Sequence, residues 1–285
     1  MDLLLQRPDG PRHVYAYTGG KPFDPQRPAI VFLHGALLDH SVWTLLARWF
    51  AHHGHAVLAP DLPGHARSRG AALTSVEALA DWLIALLDAA GIDRAALIGH
   101  SMGSLIALET TARAPQRVTH LAMLGTAYPM TVSTALLDTA RDAPLRAIDM
   151  VNAYSHSTFA AKPAFPGPGT WTHGAARALM RRVQASQRDC NLYRRDFEVC
   201  NNYRNGLVAA GAVACPVDFV LGAKDQMTAP RQATELAAAL KARVTTVDAG
   251  HALMEEAPDA VLAALRAALA RPPLDAVPSA ERATA

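Results

Sequence analysis

The 285-residue chain has little cysteine and none of the spacings that cysteine-dependent folds need. Its three cysteines, Cys190, Cys200 and Cys215, are odd in number and form no CxxC pair. A disulfide framework needs an even set and a structural zinc site needs paired ligands, so the sequence argues against both. We expect small buried or surface thiols in a reduced, cytoplasmic protein.

Long hydrophobic runs are also missing. No segment reaches about 18 uninterrupted apolar residues, so no membrane span is predicted. The opening stretch MDLLLQRPDGPRHVY carries Asp2 and an early Pro-Asp-Gly turn, which does not fit the basic start and long apolar stretch of a signal peptide.

The charge is nearly balanced, at a formal +2, without an extended basic run. A chain that neutralises many phosphates needs such a run, so nucleic acid is not an expected partner. The histidines are scattered without HExxH spacing, and no dinucleotide fingerprint occurs. We therefore expect neither a metal nor a cofactor.

What the sequence does contain is an alternation of short apolar runs with helical periodicity. Apolar residues make up 51% and charged residues 18%, which is an ordinary globular balance for one large domain. Such alternation is typical of an α/β protein with a mostly parallel, doubly wound sheet. The predicted strands are AIVFLHG, HAVLAPDLPGH, AALIGHS, THLAMLG, PVDFVLG and ARVTTVDAG. One predicted helix lies between Thr74 and Gly91, with Thr74 and Glu77 at capping-box spacing.

The alternation fails over residues 128–210, which read as helices rich in arginine and aromatic residues. Because strands lie on both sides of this segment, we expect it to form a helical cap inserted into a core of residues 1–127 and 211–270. The Pro- and Ala-rich residues 271–285 read as a flexible tail.

One serine stands where a strand is expected to turn into a helix. Gly99, His100, Ser101, Met102 and Gly103 fit the pattern G-x-S-x-G, in which a tight turn excludes bulky neighbours and raises the serine hydroxyl clear of the sheet. The free N–H groups at the start of the following helix face any negative charge that develops beside Ser101.

To act as a nucleophile, a serine needs a base that takes its proton and a group that orients the base. At this point the chain resembles the α/β-hydrolase family, whose order is serine, then an acid after a later strand, then a histidine near the C-terminus. The resemblance covers about residues 12 to 270 and assigns the acid to Asp225 in GAKDQMTAP and the base to His251 in DAGHALMEE.

Two other carboxylates compete with Asp225. Asp218 lies inside a predicted strand, and Asp248 is three residues from His251 at the end of its own strand. In some relatives the acid follows the strand after the nucleophile, but that position here reads GTAYP. Asp225 therefore remains the preferred acid.

The resemblance also extends to FLHGALLDHSVW, which would supply the backbone N–H of Ala36 as one oxyanion donor, with that of Met102 as the second. We expect His34 to be a structural residue of this turn. DLPGHARS, with Asp61, Gly64 and His65, resembles the family's turn after the next strand and is also read as structural.

These roles predict a serine hydrolase of carboxylesterase type that acts on a small, largely apolar acyl substrate. A thioesterase, acyltransferase, lactonase or carbon–carbon bond hydrolase could use the same residues, and a ligand-binding protein without turnover is the alternative of another class. The sequence leaves open whether the chain is a monomer or a homodimer. The candidates for substrate contact are Leu37, Tyr128, Met130, Tyr154, Phe159, Phe165, Trp171, Tyr193 and Phe197.

The predicted cap also carries many arginines and few acids. They usually form a solvated helix face, and the alternative is a surface that attracts an acidic substrate or an acidic carrier. These arginines are Arg177, Arg181, Arg182, Arg188, Arg194, Arg195 and Arg204.

Overall fold

The structure is a computed structural model, and it describes residues 1–6, 10–158, 171–187 and 190–272. This part of the chain contains an eight-stranded sheet in the order β1-β2-β4-β3-β5-β6-β7-β8. The strands are β1 (Asp2–Leu5), β2 (Arg12–Tyr17), β3 (Ala29–Leu33), β4 (Ala56–Pro60), β5 (Ala95–His100), β6 (Val118–Leu124), β7 (Val217–Gly222) and β8 (Arg243–Val247). The neighbouring strands in the spatial order β4-β3-β5-β6-β7-β8 pair in parallel. The pairs β1 with β2 and β2 with β4 are antiparallel. The mostly parallel α/β sheet predicted from the alternation is confirmed.

Helices cover both faces of this sheet, and further helices lie between β6 and β7. The helices of the described residues are α1 (Thr44–His52), α2 (Val76–Ala89), α3 (Met102–Arg113), α4 (Thr134–Asp142), α5 (Pro144–Ser155), α6 (Thr172–Ser186), α7 (Leu192–Asn202), α8 (Gly206–Ala210), α9 (Thr234–Ala239), α10 (Leu253–Glu256) and α11 (Pro258–Leu269). Val31 and Leu33 of β3 pack into one core with α2 and α3, while Ile30 and Phe32 pack into the other with α1 and α11. The period of two along a strand thus distributes one apolar run between two cores.

Helices α4 to α8 lie between β6 and β7 and correspond to the predicted cap, a name kept here for residues 128–210. A third apolar cluster joins α4, α5, α6 and α7 to one another and to Leu37 of the sheet domain. The cap therefore has its own small core, and part of that core rests on the loop after β3.

Some local predictions differ from the structure. Ser75, not Thr74, caps α2, because its side chain accepts from the N–H of Ala78. The antiparallel pair β1 and β2 precedes the alternation and was not predicted. The predicted tail begins at Arg271, yet the Arg271 carbonyl accepts from His120 Nε2 at 2.7 Å and its side chain pairs with Asp218. Within the described residues, no helix has both the length and the apolar character needed to cross a membrane.

Candidate active site

Ser101 lies at the turn between β5 and α3, near the middle of the sheet. Its backbone has φ 52° and ψ −121°, a conformation that non-glycine residues rarely adopt. Such strain persists only where the surroundings impose it, and it is concentrated at functional sites. The sequence-predicted turn is therefore present, with the serine at its apex.

The two glycines of the motif are required by close backbone approach. A Cβ atom on Gly99 would lie 2.2 Å from the carbonyl oxygen of Gly103, and one on Gly103 would lie 2.3 Å from that of Leu33. Neither distance is compatible with a side chain, since both contacts are with backbone. The requirement for small residues predicted from the pattern follows directly from this packing.

The loops after β7 and β8 bring Asp225 and His251 together. Oδ2 of Asp225 lies 2.9 Å from Nδ1 of His251, and both residues are largely buried. Because a carboxylate only accepts, Nδ1 carries the proton and Nε2 is left to act as a base. His251 and Ser101 line the same two cavities, so the three predicted residues converge on one place.

Asp225 is held by hydrogen bonds from the next few residues. Its Oδ1 accepts from the N–H groups of Met227 and Thr228, each at 2.8 Å, and its Oδ2 accepts from the Thr228 hydroxyl at 2.8 Å. Burial by itself would raise the pKa of Asp225, but the attraction of His251 and these hydrogen bonds outweigh burial and lower the pKa. Asp225 is therefore ionised at neutral pH. Thr228 was not predicted, although its position three residues after Asp225 is a signal for such a loop.

The competing carboxylates have other partners. Asp218 pairs with Arg243 at 2.6 Å and also contacts Arg271, and Asp248 pairs with Lys224 at 2.6 Å. Each therefore has a basic partner away from His251. The geometry agrees with the choice of Asp225.

The loop after β3 passes beside Ser101. A Cβ atom on Gly35 would lie 3.1 Å from the Ser101 Cβ, and the next residue, Ala36, lines both cavities with Ser101. Met102 is the first residue of α3, so its N–H is one of the free donors at that helix start. Ala36 thus lies at the cavity that holds the serine, and Met102 directly follows the serine; their role as oxyanion donors stays a prediction.

A buried carboxylate of the cap holds the same loop. Oδ2 of Asp196, on α7, accepts from the Leu37 N–H at 2.8 Å and from His65 Nε2 at 2.9 Å. Nδ1 of His65 faces the Pro63 carbonyl, so both ring nitrogens donate and the ring is an imidazolium. Burial by itself would lower the pKa of His65, but Asp196 outweighs it and raises the pKa. Nothing in the sequence signals this pair, which spans 131 residues.

His34 and Asp61 have structural roles, as expected. His34 donates through Nδ1 to the Gly35 carbonyl and accepts through Nε2 from the Leu62 N–H, and burial lowers its pKa to about 4. Asp61 accepts from the N–H groups of His40 and Arg67. Ligand atoms of Asp39, His40 and Asp61 lie within 4.8 Å of one another. The carboxylates of Asp39 and Asp61 already accept hydrogen bonds from backbone N–H groups, Asp39 from Ser41 and Asp61 from His40 and Arg67.

His100, the variable residue before Ser101, contacts the catalytic histidine candidate. Its Nε2 donates to the His251 carbonyl at 2.9 Å, and the two ring centroids are 4.7 Å apart. Burial, with a contribution from the nearby His251, lowers the pKa of His100 to about 3. The ring is therefore neutral, and its Nδ1 is a buried acceptor with no hydrogen-bond partner among the described residues.

The loop of His251 is joined to the end of α5. The Ser155 carbonyl accepts from the Ala252 N–H at 2.9 Å, and Oε1 of Glu256 accepts from the N–H groups of Gly250 and Ser157, each at 3.0 Å. The cap thus contacts the base loop at this point and the loop of Ala36 through Asp196.

Two cavities open from Ser101 beneath the cap. The first has a volume of about 270 Å³ and a largely apolar lining that includes Met130, Leu136, Tyr154, Phe197 and Met227. The second is smaller, about 70 Å³, and extends toward α10. Its lining includes His100, Asn152, Ser155, His156 and Glu255.

The substrate-contact candidates divide into three groups. Met130, Tyr154 and Phe197 line the first cavity, and Phe197 also lines the second. Phe159 and Phe165 lie outside the described residues.

The other four candidates are placed away from both cavities. Leu37 packs in the cap cluster, and Tyr193 is buried with its hydroxyl donating to the Ala147 carbonyl. The hydroxyl of Tyr128 donates to the Arg204 carbonyl. Trp171 is 59% exposed and its ring lies against Gly174. Their apolar character serves packing, or in Trp171 a surface contact, and not the cavity walls.

Several cap arginines have carboxylate partners. Arg177 pairs with Asp149 at 2.5 Å, Arg182 with Asp39 at 2.9 Å and Arg194 with Glu198 at 2.7 Å. These pairs neutralise part of the positive face that the sequence shows. Arg188 lies outside the described residues.

Comparison with known proteins places this geometry in a family. A model of the alpha/beta hydrolase family matches residues 30–264. The chain is similar to an (E)-2-((N-methylformamido)methylene)succinate hydrolase of Acinetobacter baylyi, with 32% identity over 42% of this chain and 43% of that one. It is also similar to a lipase of Mycobacterium tuberculosis, with 35% identity over 38% of this chain and 41% of the lipase. The chain thus spans less than half the length of these curated relatives.

Among solved structures, the enol-lactonase of Burkholderia xenovorans has a TM-score of 0.76 and 23% identity. The match covers 91% of this chain and 97% of the lactonase. This likeness shows that the fold is shared over nearly the whole length.

Proposed function

Because the chain belongs to the alpha/beta hydrolase family, we propose that it is a serine hydrolase that cleaves a carboxylic ester, or a related acyl bond, through an acyl-enzyme on Ser101. The observation that carries this proposal is that Ser101 and His251 line one cavity, while Oδ2 of Asp225 lies 2.9 Å from Nδ1 of His251. The named activities of the curated relatives, a hydrolase and a lipase, support hydrolysis at the level of the family.

In the proposed reaction, the same residues act first in acylation of Ser101 and then in deacylation. His251 takes the proton from Ser101 through Nε2 as Oγ attacks the carbonyl carbon, while Asp225 stabilises the imidazolium that forms. The N–H groups of Ala36 and Met102 bind the oxyanion. His251 then gives the proton to the leaving group, and water repeats the sequence to release the acid.

The apolar lining of the first cavity supports a small, largely apolar substrate. Met130, Leu136, Phe197 and Met227 contribute side chains there, and burial of a substrate carbon against them is favourable at about 25 cal/mol per Å². A small-molecule acyl substrate is therefore proposed as the ligand, and no cofactor enters the scheme.

Intact mass after treatment with a fluorophosphonate tests the proposal directly. The wild-type protein is expected to gain one adduct that maps to Ser101, and Ser101→Ala is expected to gain none. Ser133→Ala is the matched control, because Ser133 lines the same first cavity but its hydroxyl caps α4 by accepting from the Leu136 N–H. It should label like the wild type.

Untreated wild-type protein can then be offered matched oxygen esters, thioesters, lactones and vinylogous diketones. Preference for an oxygen ester supports the carboxylesterase reading, and preference for another bond replaces it with the thioesterase, lactonase or carbon–carbon hydrolase alternative. Acyl transfer to an added alcohol identifies an acyltransferase. A folded protein that neither labels nor turns over any of them contradicts the proposal and favours a ligand-binding protein.

A further inference from the structure

Two cavities of unequal size meet at Ser101. The first has a volume of about 270 Å³ and the second a volume of about 70 Å³. Val151, Phe197 and Met227 line both, so they mark the boundary at which the cavities adjoin. An ester whose carbonyl lies at Ser101 has two arms, the acyl chain and the alcohol, which extend from the reacting group in different directions. The two cavities are therefore placed to take one arm each.

The smaller cavity has a mostly apolar wall. The sheet domain contributes Leu38 and Met254 to it, and cap helix α6 contributes Ala176 and Met180. An apolar group that leaves water for such a wall gains about 25 cal/mol per Å² of buried surface. The second cavity thus favours a hydrocarbon chain.

Polar residues at the second cavity bond to other parts of the protein. Asn152 Nδ2 donates to the His173 carbonyl at 2.9 Å, and His156 pairs with Glu255 at 3.5 Å. Because these groups already have partners within the protein, they do not require a polar substrate.

The two cavities also differ in their access to solvent. Thr131, Ser133, Tyr154 and Gln226 line the first cavity and are exposed, so they form a rim through which this cavity opens. None of the described residues that line the second cavity is exposed. The second cavity is therefore an inner pocket, and the first is the route to solvent.

The order of events in acyl transfer assigns the arms. The alcohol must leave, and water must enter, while the acyl group stays bonded to the Ser101 oxygen. An alcohol in the inner pocket would be trapped behind the acyl group, whereas an alcohol in the first cavity can leave through the exposed rim with the proton that His251 supplies. The inner pocket suits the arm that stays.

From this asymmetry we propose that the second cavity binds the acyl chain and the first cavity binds the alcohol. The substrate is then an ester of a short apolar acid with a larger apolar alcohol. The inference rests on the function proposed above and adds the class of substrate. A methylene group is about the size of a water molecule, which takes about 30 Å³ in the liquid, so 70 Å³ holds about two or three carbon atoms beyond the carbonyl.

A series of isomeric esters tests the assignment. Methyl octanoate, propyl hexanoate, pentyl butanoate and heptyl acetate share one composition and differ only in where the ester group divides the chain. In the wild type, kcat/KM is expected to be highest for pentyl butanoate or heptyl acetate, and at least about tenfold higher for pentyl butanoate than for methyl octanoate, because the longer acyl chain does not fit the inner pocket. Equal kcat/KM across the series, or the highest value for methyl octanoate or propyl hexanoate, overturns the inference.

Variants of α6 assign the limit to the inner pocket. Each is offered 4-nitrophenyl acetate, butanoate and hexanoate, so that only the acyl chain changes. The wild type is expected to prefer butanoate to hexanoate by about tenfold. Met180→Ala enlarges the pocket and should reduce this preference to about threefold or less, whereas Ala176→Val narrows the pocket and should shift the preference toward acetate.

Ala178→Leu is the matched control. Ala178 lies on the same helix, is exposed and lines neither cavity, so its substitution should leave the dependence on acyl length unchanged. Circular dichroism establishes that each variant is folded. A dependence on acyl length that is the same in folded Met180→Ala and folded Ala176→Val as in the wild type contradicts the assignment.

Failure of the inference is distinguishable from failure of the proposed function. If the fluorophosphonate labels Ser101 and methyl octanoate is cleaved at least as well as pentyl butanoate, the serine hydrolase stands and the assignment of the arms is wrong. If Ser101 neither labels nor cleaves any ester of the series, the proposed function fails, and the assignment that rests on it fails as well.

Discussion

The Asp196 carboxylate, on cap helix α7, accepts a 2.8 Å hydrogen bond from the backbone N–H of Leu37. Leu37 follows Ala36, the proposed oxyanion donor, and has a φ of 54°, so the loop is held in a conformation that most residues avoid. The cap thus helps to set the direction in which the neighbouring N–H groups point.

We predict that Asp196→Ala lowers kcat by about tenfold or more with a smaller change in KM. A displaced oxyanion donor weakens stabilisation of the transition state more than it weakens binding of the substrate. Asp196→Asn keeps one oxygen that can accept from Leu37 and should restore most of kcat. Steady-state kinetics and the rate of fluorophosphonate labelling measure both.

Glu109→Gln is the control for stability in this comparison. Glu109 is also buried and also joins the sheet domain to the cap, through Tyr203 and Asn205, but it lies in the C-terminal half of α3. It should lower the melting temperature without lowering kcat. Equal effects of Asp196→Ala and Glu109→Gln on kcat would contradict a positioning role.

The His65–Asp196 pair should make stability depend on pH. The pKa of His65 is raised in the folded protein, so the folded state binds this proton more tightly than the unfolded chain, in which the value is about 6.5. The stabilisation is complete below that value and is lost as the pH rises through the folded pKa.

The free energy of unfolding in urea, measured from pH 6 to 9, checks this sign. The difference between wild type and Asp196→Asn is expected to shrink as the pH increases, because the variant lacks the charge that holds the proton. A difference that stays constant, or grows, with pH would show that the pair is not ionic.

Gly103→Ala should destabilise the protein severely. Its new Cβ would meet backbone oxygens of Leu33 and His34 at 2.3 and 2.7 Å, and neither strand nor helix can move away without unpacking. We expect a loss of several kcal/mol, on the order of the larger overpacking effects.

Gly54→Ala separates this clash from ordinary glycine strain. Gly54 has a φ of 93°, and a Cβ atom added there would meet nothing within 4 Å, so its substitution should cost only about 1 kcal/mol from the backbone conformation. Melting temperatures of the two variants give the comparison. If the two melting temperatures fall by a similar amount, close packing is not the reason that position 103 requires glycine.

Asp225→Asn should lower kcat by about three to four orders of magnitude, because the amide no longer fixes the His251 tautomer or stabilises its positive charge. Thr228→Val removes one of the hydrogen bonds to Oδ2 and should cost less, about tenfold at most. Asp248→Asn is the matched control, since Asp248 is close in sequence to His251 but pairs with Lys224. If Asp248→Asn lost kcat and Asp225→Asn retained it, Asp248 and not Asp225 would be the acid that orients His251.

The cap arginines should have little effect on the capture of charged esters. Arg177, Arg182 and Arg194 already pair with carboxylates, so we expect kcat/KM for an anionic ester and for its neutral analogue to respond alike to salt between about 0.05 and 0.5 M, a range over which screening changes strongly. A selective fall for the anionic ester would favour an acidic substrate or carrier at this face.

Sequence patterns predicted the parts of this molecule that depend on local chemistry. The strand–turn–helix around Ser101 is such a part, because Gly99 and Gly103 are needed wherever backbone approaches this closely. The α/β sheet and the family were also predicted correctly. The catalytic roles of Ser101, Asp225 and His251 stay predictions, which the variants above test.

Patterns failed where a contact joins distant segments. Asp196 is an ordinary acid within an amphipathic helix until folding places it on Leu37, 159 residues earlier in the chain. Tyr128 and Tyr193 illustrate the opposite error, since aromatic character does not distinguish a cavity wall from a packed interior. His156 directly follows α5, and nothing in the sequence indicates its contact with Glu255.

The links from the cap to both functional loops affect how heat would inactivate the protein. Asp196 reaches the loop of Ala36, while the Ser155 carbonyl and Ser157 reach the loop of His251 through Ala252 and Glu256. Partial unfolding of the cap would therefore release the oxyanion loop and the base together while the sheet stayed folded. Activity would be lost at a lower temperature than that at which the sheet unfolds. The difference between the inactivation temperature and the unfolding temperature of the sheet would measure how firmly the cap is docked.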